Sequence, residues 1–190
     1  MLTKEELSAF FNACENYMYK TIFMLIYGSG LRISEAVSLK VEDIDSKKMR
    51  IFVREGKGNK ERYTMLSKQS LEMLRTYWTK YRQNKRRGRI FLSKSGAAIT
   101  VGVIREHFRK YRRKAKLSEK VTMHTLRHCY ATNLIENGAT LIQVKELMGH
   151  SNITSTMEYV HVPNIDLGLE SPLDVFLRGE ENGENSRNIK

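Results

Sequence analysis

The residues best suited to chemistry lie at 123–162, in the stretch MHTLRHCYATNLIENGATLIQVKELMGHSNITSTMEYVHV. His124 and Arg127 are three positions apart in a segment with helical patterning, so both side chains are expected on one helix face. A glycine is placed to end the next apolar-periodic helix, with His150 directly after it and Tyr159 on a third short segment. Two imidazoles, a guanidinium and a phenol brought together indicate phosphoryl transfer with tyrosine as the nucleophile.

Two cationic groups in the first half of the chain could complete such a site. Arg32 directly follows the break GSGL at 28–31, where an arginine is either a buried functional group or a surface residue bonding a loop carbonyl. Lys57 lies between two glycines of the segment EGKGNKE, which allow a tight hairpin turn and push the lysine outward. A solvated turn lysine is the usual alternative, and neither segment decides the question alone.

Local patterns place these residues on a mainly α-helical fold with a small antiparallel β-sheet (α+β). Thr3 and Glu6 form a capping box that starts a first helix almost at residue 3. The other predicted elements are a helix at 17–27, a helix at 35–40 capped by Ser34, a β-meander at 41–64, and a helix capped by Ser67 with Leu71, Leu74 and Trp78 facing the core.

A basic helix beginning at Thr100 is the most informative surface element. Its buried face is predicted from apolar residues repeating at three and four, namely Val101, Ile104, Phe108, Tyr111 and Ala115. Its opposite face carries Arg105, Arg109, Arg112, Arg113 and Lys116. Seven of the twelve residues at 105–116 are Lys or Arg against one acid, whereas a solvated face interleaves both signs. This pattern favours contact with a phosphate backbone over a role in solubility.

Composition agrees with a folded protein that binds a polyanion. The 190 residues are 41% hydrophobic, and 33 Lys and Arg against 21 Asp and Glu give a net charge of +12. RNA remains open as a partner on charge alone. The two cysteines form no CxxC pair, which excludes a disulfide framework and a thiolate zinc site. Without a signal pattern or a long apolar run, we expect a cytoplasmic, nucleoid-associated protein with no membrane partner.

The C-terminal segment carries a short apolar stripe on a predicted helix. Pro172 is placed at a first helical position, and Leu173, Phe176 and Leu177 follow with helical spacing. Such a stripe either folds back on its own core or docks on a neighbouring subunit, and we predict docking in trans. From Gly179 onward the polar composition predicts disorder.

With these residues in view, the sequence resembles the catalytic domain of the tyrosine recombinases, the phage integrase family, over about residues 3–162. GSGLRISE resembles the family's first-arginine motif, and GKGNKER resembles its β-hairpin lysine motif. HTLRH, LMGHS and EYVHV resemble the remaining three. Because the five motifs stand in the family's order and spacing, the resemblance predicts the tyrosine recombinase catalytic-domain fold. Within the family it resembles the chromosome-dimer-resolving recombinases and the short recombinases that invert fimbrial promoter switches.

The resemblance implies a catalytic role for six residues and a supporting role for one. Tyr159 would attack the scissile phosphate and form a 3′-phosphotyrosyl bond, with His124 receiving the proton and Lys57 acting as general acid. Neither ATP, a metal nor another cofactor is required. The remaining groups bind the phosphate or orient the site: the clamp arginines Arg32 and Arg127, the hydrogen-bond donor His150 and the supporting carboxylate Glu35.

The resemblance also implies double-stranded DNA as the partner and a homo-oligomer, a tetramer on paired sites. The residues assigned to DNA contact are Lys60, Arg62, Arg105, Arg109, Arg112 and Arg113. A zinc site at His124 and His128 was weighed, since the two are four apart, but Thr125 stands where the glutamate of HExxH belongs. His128 and His161 are assigned structural roles.

The resemblance predicts a catalytic domain at 1–165, a C-terminal segment with a short docking helix at 166–178 and a tail at 179–190. The motifs begin too early for the family's N-terminal clamp domain, which fits either an excised domain or a natural short recombinase. Met123 stands where proline is common in the family. Two alternative functions stay open: a non-enzymatic DNA-binding or regulatory protein on the same fold, and a relaxing enzyme of the type IB topoisomerase kind.

Overall fold

The computed structural model describes residues 1–54, 61–82, 88–149 and 170–185. Within those ranges the chain forms helices around one small sheet. The helices are α1 (Lys4–Ala13), α2 (Tyr17–Ser29), α3 (Ile33–Ser38), α4 (Lys68–Thr76), α5 (Val101–Lys114), α6 (Met123–Glu136), α7 (Leu141–Met148) and α8 (Pro172–Asn185). The strands are β1 (Ile44–Asp45), β2 (Arg50–Val53) and β3 (Arg62–Met65). This architecture confirms the mainly helical fold with a small antiparallel sheet.

The predicted start of α1 is confirmed by both bonds of its capping box. The Thr3 backbone N–H donates to the Glu6 carboxylate at 2.9 Å, and the Glu6 backbone N–H donates to the Thr3 hydroxyl at 3.2 Å. Leu7, Phe10 and Phe11 are thereby turned into the core.

The centre of the fold is α2, which is buried along its whole second half from Thr21 to Ser29. The predicted helix ended near residue 27, but the break comes only at Gly30, which has a left-handed φ of 61°. Gly28 is part of the helix, and α8 crosses closely there: a Cβ at Gly28 would lie 3.0 Å from Cβ of Leu173.

Two predictions about the following helices are corrected. The helix after the break begins at Ile33 with Arg32 as its N-cap, so Ser34 is not the cap. After α4 the backbone widens into a π-helical turn, in which the Arg82 N–H donates to the Tyr77 carbonyl at 2.9 Å. This turn shifts the register of the side chains. Tyr77 is therefore buried, and Trp78 is only half-buried beneath the Arg82 guanidinium.

The three strands form an antiparallel meander in the order β1-β2-β3. Val53 pairs with Arg62 and Ile51 pairs with Thr64, so these four residues lie on the same sheet face. The segment between β2 and β3 that contains Lys57, residues 55–60, lies outside the described residues.

The C-terminal helix packs on the core of the same chain, and docking in trans on a neighbouring subunit stays a prediction. Leu173 and Phe176 are 0% and 4% exposed within the main core. The Ser171 hydroxyl donates to the Gly28 carbonyl at 2.9 Å, and the Asp174 carboxylate accepts from two N–H groups that open α4. The helix also continues to Asn185, past the predicted start of a disordered tail.

None of the described helices is long and apolar enough to cross a membrane.

Candidate functional site: an arginine cluster at the end of one helix

Arg127 is a buried functional group, with 5% exposure. It lies on the second turn of α6, and its guanidinium donates to the carbonyls of Gly30 and Met148. These carbonyls belong to the C-terminal ends of α2 and α7, where the helix dipole favours a cation. Burial lowers the pKa of Arg127 to about 10, with repulsion from Arg32 acting in the same direction, so the group remains charged at neutral pH.

Arg32 reaches the same place from the N-cap of α3. Its guanidinium donates to Oε1 of Glu35 at 2.6 Å and to the carbonyl of Gly149 at 2.8 Å. The side chain is 21% exposed, so it both bonds a loop carbonyl and keeps access to solvent. The hydrogen bond to a carbonyl agrees with the second interpretation of this arginine, and its functional role stays a prediction.

Glu35 is a buried carboxylate shared among three arginines. Arg32 and Arg62 bond it directly, and Nη1 of Arg127 lies 3.9 Å from its Oε2. Burial acts to raise the pKa of Glu35, but hydrogen bonds from Arg62 and from the Arg32 backbone N–H outweigh it. The net result is a lowered pKa, and the carboxylate stays ionised.

Three consecutive carbonyls, two at the end of α7 and one of its cap residue, each accept a hydrogen bond from a different arginine. Arg62 bonds the Leu147 carbonyl at 2.9 Å, Arg127 bonds that of Met148, and Arg32 bonds that of Gly149. A helix leaves its final carbonyls without backbone partners, and here three side chains from α3, β3 and α6 satisfy them. Gly149 ends the helix with a left-handed φ of 61°, which confirms the predicted cap.

Arg62 has a different place from the one predicted for it. Its side chain is only 8% exposed, and its two terminal nitrogens bond the two oxygens of Glu35 at 2.9 and 2.8 Å. This geometry speaks against a DNA contact, because all three guanidinium nitrogens already have partners inside the fold. The residue types along β3 did not predict this place, because Arg62 shares its face with the polar Thr64 while Tyr63 lies on the other face. The pairing of Arg62 with the buried Val53 is what places it inward.

His124 lies one helical turn before Arg127 and is exposed. It lines a cavity of about 670 Å³ together with Arg127, His128 and Met148. His128 was assigned a satisfied structural role, but the residue is exposed.

The structure thus brings Arg32, Glu35 and Arg127 together from distant parts of the sequence, with His124 beside them. Four assigned site residues, Lys57, Lys60, His150 and Tyr159, lie outside the described residues, as does His161. Among the residues that the structure describes, no group of three His, Cys, Asp or Glu side chains could hold a metal ion.

The basic face of α5 is confirmed for most of its members. Arg105, Arg109 and Arg113 are exposed, opposite buried Ile104 and Phe108.

Arg112 differs from its neighbours on α5. Its guanidinium donates to the carbonyls of Glu119 at 2.6 Å and Val121 at 3.2 Å, and the side chain is 12% exposed. It therefore ties α5 to the loop that leads into α6, which makes it a poor candidate for a phosphate contact.

Comparisons with known proteins agree with this fold. The sequence model described as the phage integrase family matches residues 1–164. The chain is 39% identical over 151 residues to the tyrosine recombinase XerD of Staphylococcus epidermidis, covering 77% of this chain and 50% of that protein.

Two solved structures extend the comparison. The XerA recombinase superimposes with a TM-score of 0.70 at 26% identity, covering 80% of this chain and 55% of that one. The XerH recombinase bound to its difH substrate in a pre-cleavage complex gives 0.67 at 28% identity, covering 80% and 47%. The chain therefore spans about half the length of these recombinases.

Proposed function

The chain belongs to the phage integrase family, and on that basis we propose that it is a site-specific recombinase that cleaves and rejoins double-stranded DNA. The observation that carries the proposal is the meeting of Arg32 and Arg127 at the end of α7, beside the exposed His124. A phosphodiester under attack gains negative charge on its non-bridging oxygens. Two guanidinium groups held in fixed positions are suited to neutralise that charge.

The proposed nucleophile is Tyr159. Its phenolic oxygen attacks phosphorus while the bond to the 5′ oxygen breaks, which leaves a 3′-phosphotyrosyl bond and a free 5′-hydroxyl. A free phenol has a pKa of about 10, so the proton needs an acceptor at neutral pH, and His124 takes that role. Lys57 protonates the departing 5′ oxygen, and His150 donates a hydrogen bond to the phosphate.

The second half of the reaction reverses the first. The 5′-hydroxyl of a partner strand attacks the phosphotyrosyl phosphorus, the new phosphodiester forms and Tyr159 leaves with its proton restored. The energy of the broken bond is kept in the phosphotyrosyl link, so neither ATP nor a metal takes part. Exchange between strands needs two sites held together, which is the reason to propose assembly as a homo-oligomer on DNA.

Covalent trapping on nicked DNA tests this proposal. Duplexes tiled across the sequence on both sides of the gene carry a nick near each candidate cleavage position, so that the short released strand diffuses away and the adduct persists. We expect an adduct that survives denaturing electrophoresis with the wild-type chain and none with Tyr159→Phe, while both chains bind DNA alike.

Two other outcomes would point elsewhere. Salt-sensitive binding with no adduct from the wild-type chain would refute strand cleavage and favour a DNA-binding regulator. Relaxation of supercoiled DNA without any preference for paired sites would favour a relaxing enzyme.

A further inference from the structure

Arg62 joins three elements that are far apart in the sequence. It is the first residue of β3, its terminal nitrogens bond both oxygens of Glu35 on α3, and its Nε bonds the Leu147 carbonyl on α7. The side chain also packs tightly on the cap of α7, since a Cβ at Gly149 would lie 2.8 Å from its Cδ. Arg32 and Arg127, which are themselves the proposed phosphate ligands, also pair with Glu35 and bond carbonyls at the end of α7.

The partners of Arg62 are also the partners of the proposed clamp. Glu35 accepts bonds from the guanidinium and the backbone N–H of Arg32 and lies 3.9 Å from Arg127. The carbonyls that follow Leu147 accept from the same two arginines. Any shift of Glu35 or of the last turn of α7 therefore moves the atoms that hold both clamp guanidinium groups.

We propose that Arg62 is a positioning residue, which fixes Glu35 against the last turn of α7 and so sets the places of Arg32 and Arg127 at the scissile phosphate. This inference rests on the proposed function, because it concerns the phosphate clamp of that reaction. It assigns Arg62 no contact with DNA.

The bond geometry requires arginine at this position and not merely a positive charge. A guanidinium presents a planar fork that meets both carboxylate oxygens while its Nε points elsewhere. A lysine has one nitrogen at the end of its chain, so Arg62→Lys keeps the charge but loses the simultaneous bonds to Glu35 and Leu147. Arg75 is the matched control, because it is an exposed arginine on α4 away from the site.

Single-turnover cleavage of the pooled nicked duplexes at saturating protein separates positioning from binding. We expect Arg62→Lys to lower the cleavage rate by about 100-fold, the loss typical of a misplacement of about 1 Å in a reacting site, with unchanged DNA affinity. Arg75→Lys should match the wild-type chain in both measurements. A DNA contact would give the opposite result, with weaker binding, a smaller salt dependence and an intact rate at saturation.

The pH profile of cleavage adds a readout that a general loss of stability would not move. The charged groups that face Glu35 are Arg32 from α3, Arg62 from β3 and Arg127 from α6, while α7 contributes carbonyls. Arg62→Gln removes the charge and the paired bonds of Arg62, which lower the pKa of Glu35 against the effect of burial, while the bonds from Arg32 remain. The acidic limb of the profile should therefore move to higher pH in this variant and stay in place in Arg75→Gln.

Each outcome decides the matter. A wild-type cleavage rate in Arg62→Lys at saturating protein overturns the inference, as does a variant that loses only DNA affinity. Either result leaves the proposed function standing. Absence of any adduct from the wild-type chain refutes the proposed function and this inference with it. If Arg62→Gln fails to fold, as judged by thermal melting, the charge-conserving Arg62→Lys remains the deciding variant.

Discussion

Replacing Gly30 with alanine tests the junction on which the arginine cluster is built. The φ of 61° is left-handed, which costs an alanine about 1–2 kcal/mol. The added methyl would also lie 2.4 Å from two ring carbons of Tyr130. That ring is 0% exposed and has no open side toward which to move, so the overlap adds about 1–3 kcal/mol. The sum is a loss of about 2–5 kcal/mol in the free energy of unfolding.

Gly138→Ala is the control that isolates backbone strain. Gly138 also follows the end of a helix with a positive φ, 92°, but a Cβ there meets nothing within 4 Å. Urea denaturation of both variants should show Gly30→Ala losing more stability than Gly138→Ala, with similar slopes. Equal losses would refute the claim that the Tyr130 ring is packed rigidly against Gly30.

Three further outcomes follow from the packing and charges of the fold. Leu173→Ala should cost about 2–5 kcal/mol in urea denaturation, since the leucine is fully buried against α2, and a loss below that range would mean that α8 is not held on the core. Glu35→Gln should cost about 3–5 kcal/mol at neutral pH by breaking a buried ion pair. The folded-state pKa of Glu35 lies below its ordinary value of 4.5, so the wild-type chain should lose this part of its stability as the pH falls below 4.5. The variant has no such carboxylate and should not show that loss. Parallel curves of stability against pH would contradict the pairing. Arg109→Gln should reduce the slope of log affinity against log salt by about 0.9, and Arg75→Gln should leave that slope unchanged. If the two variants have equal slopes, Arg109 on α5 does not contact DNA phosphates.

The local signals in the sequence predicted those parts of the fold that local physics determines. The capping box at Thr3 and the apolar repeat after Thr100 each fix a helix through contacts within a few residues, and both helices begin where predicted. The break at Gly28 was misplaced because the reason for that glycine is Leu173, a residue on a helix at the other end of the chain.

The site was predicted in part for the same reason. Arg32 and Arg127 were found from motifs, and the structure places them together. Arg62 was assigned to DNA together with Lys60, whereas its partners Glu35 and Leu147 come from elements distant in sequence. A pattern of single residues does not reveal such a pairing.

The C-terminal stripe illustrates a choice that sequence leaves undecided. Leu173 and Phe176 need an apolar groove, and a groove on the same chain or on a neighbour would satisfy the same pattern. The contacts of Ser171 with α2 and Asp174 with α4 select the chain's own groove in this structure.

The shared carboxylate of Glu35 has a consequence for how the cluster responds to a reacting phosphate. Three guanidinium groups around one carboxylate leave a net charge of 3 − 1 = +2 at this point of the fold. A phosphodiester in its resting state carries one negative charge, and an attacking phenolate brings a second as the bond to phosphorus forms. The charge of the cluster therefore matches the transition state of the proposed reaction better than its starting state, which is the difference that accelerates a chemical step. Since the end of α7 and Glu35 hold these cations together without DNA, that match is already present when the substrate arrives.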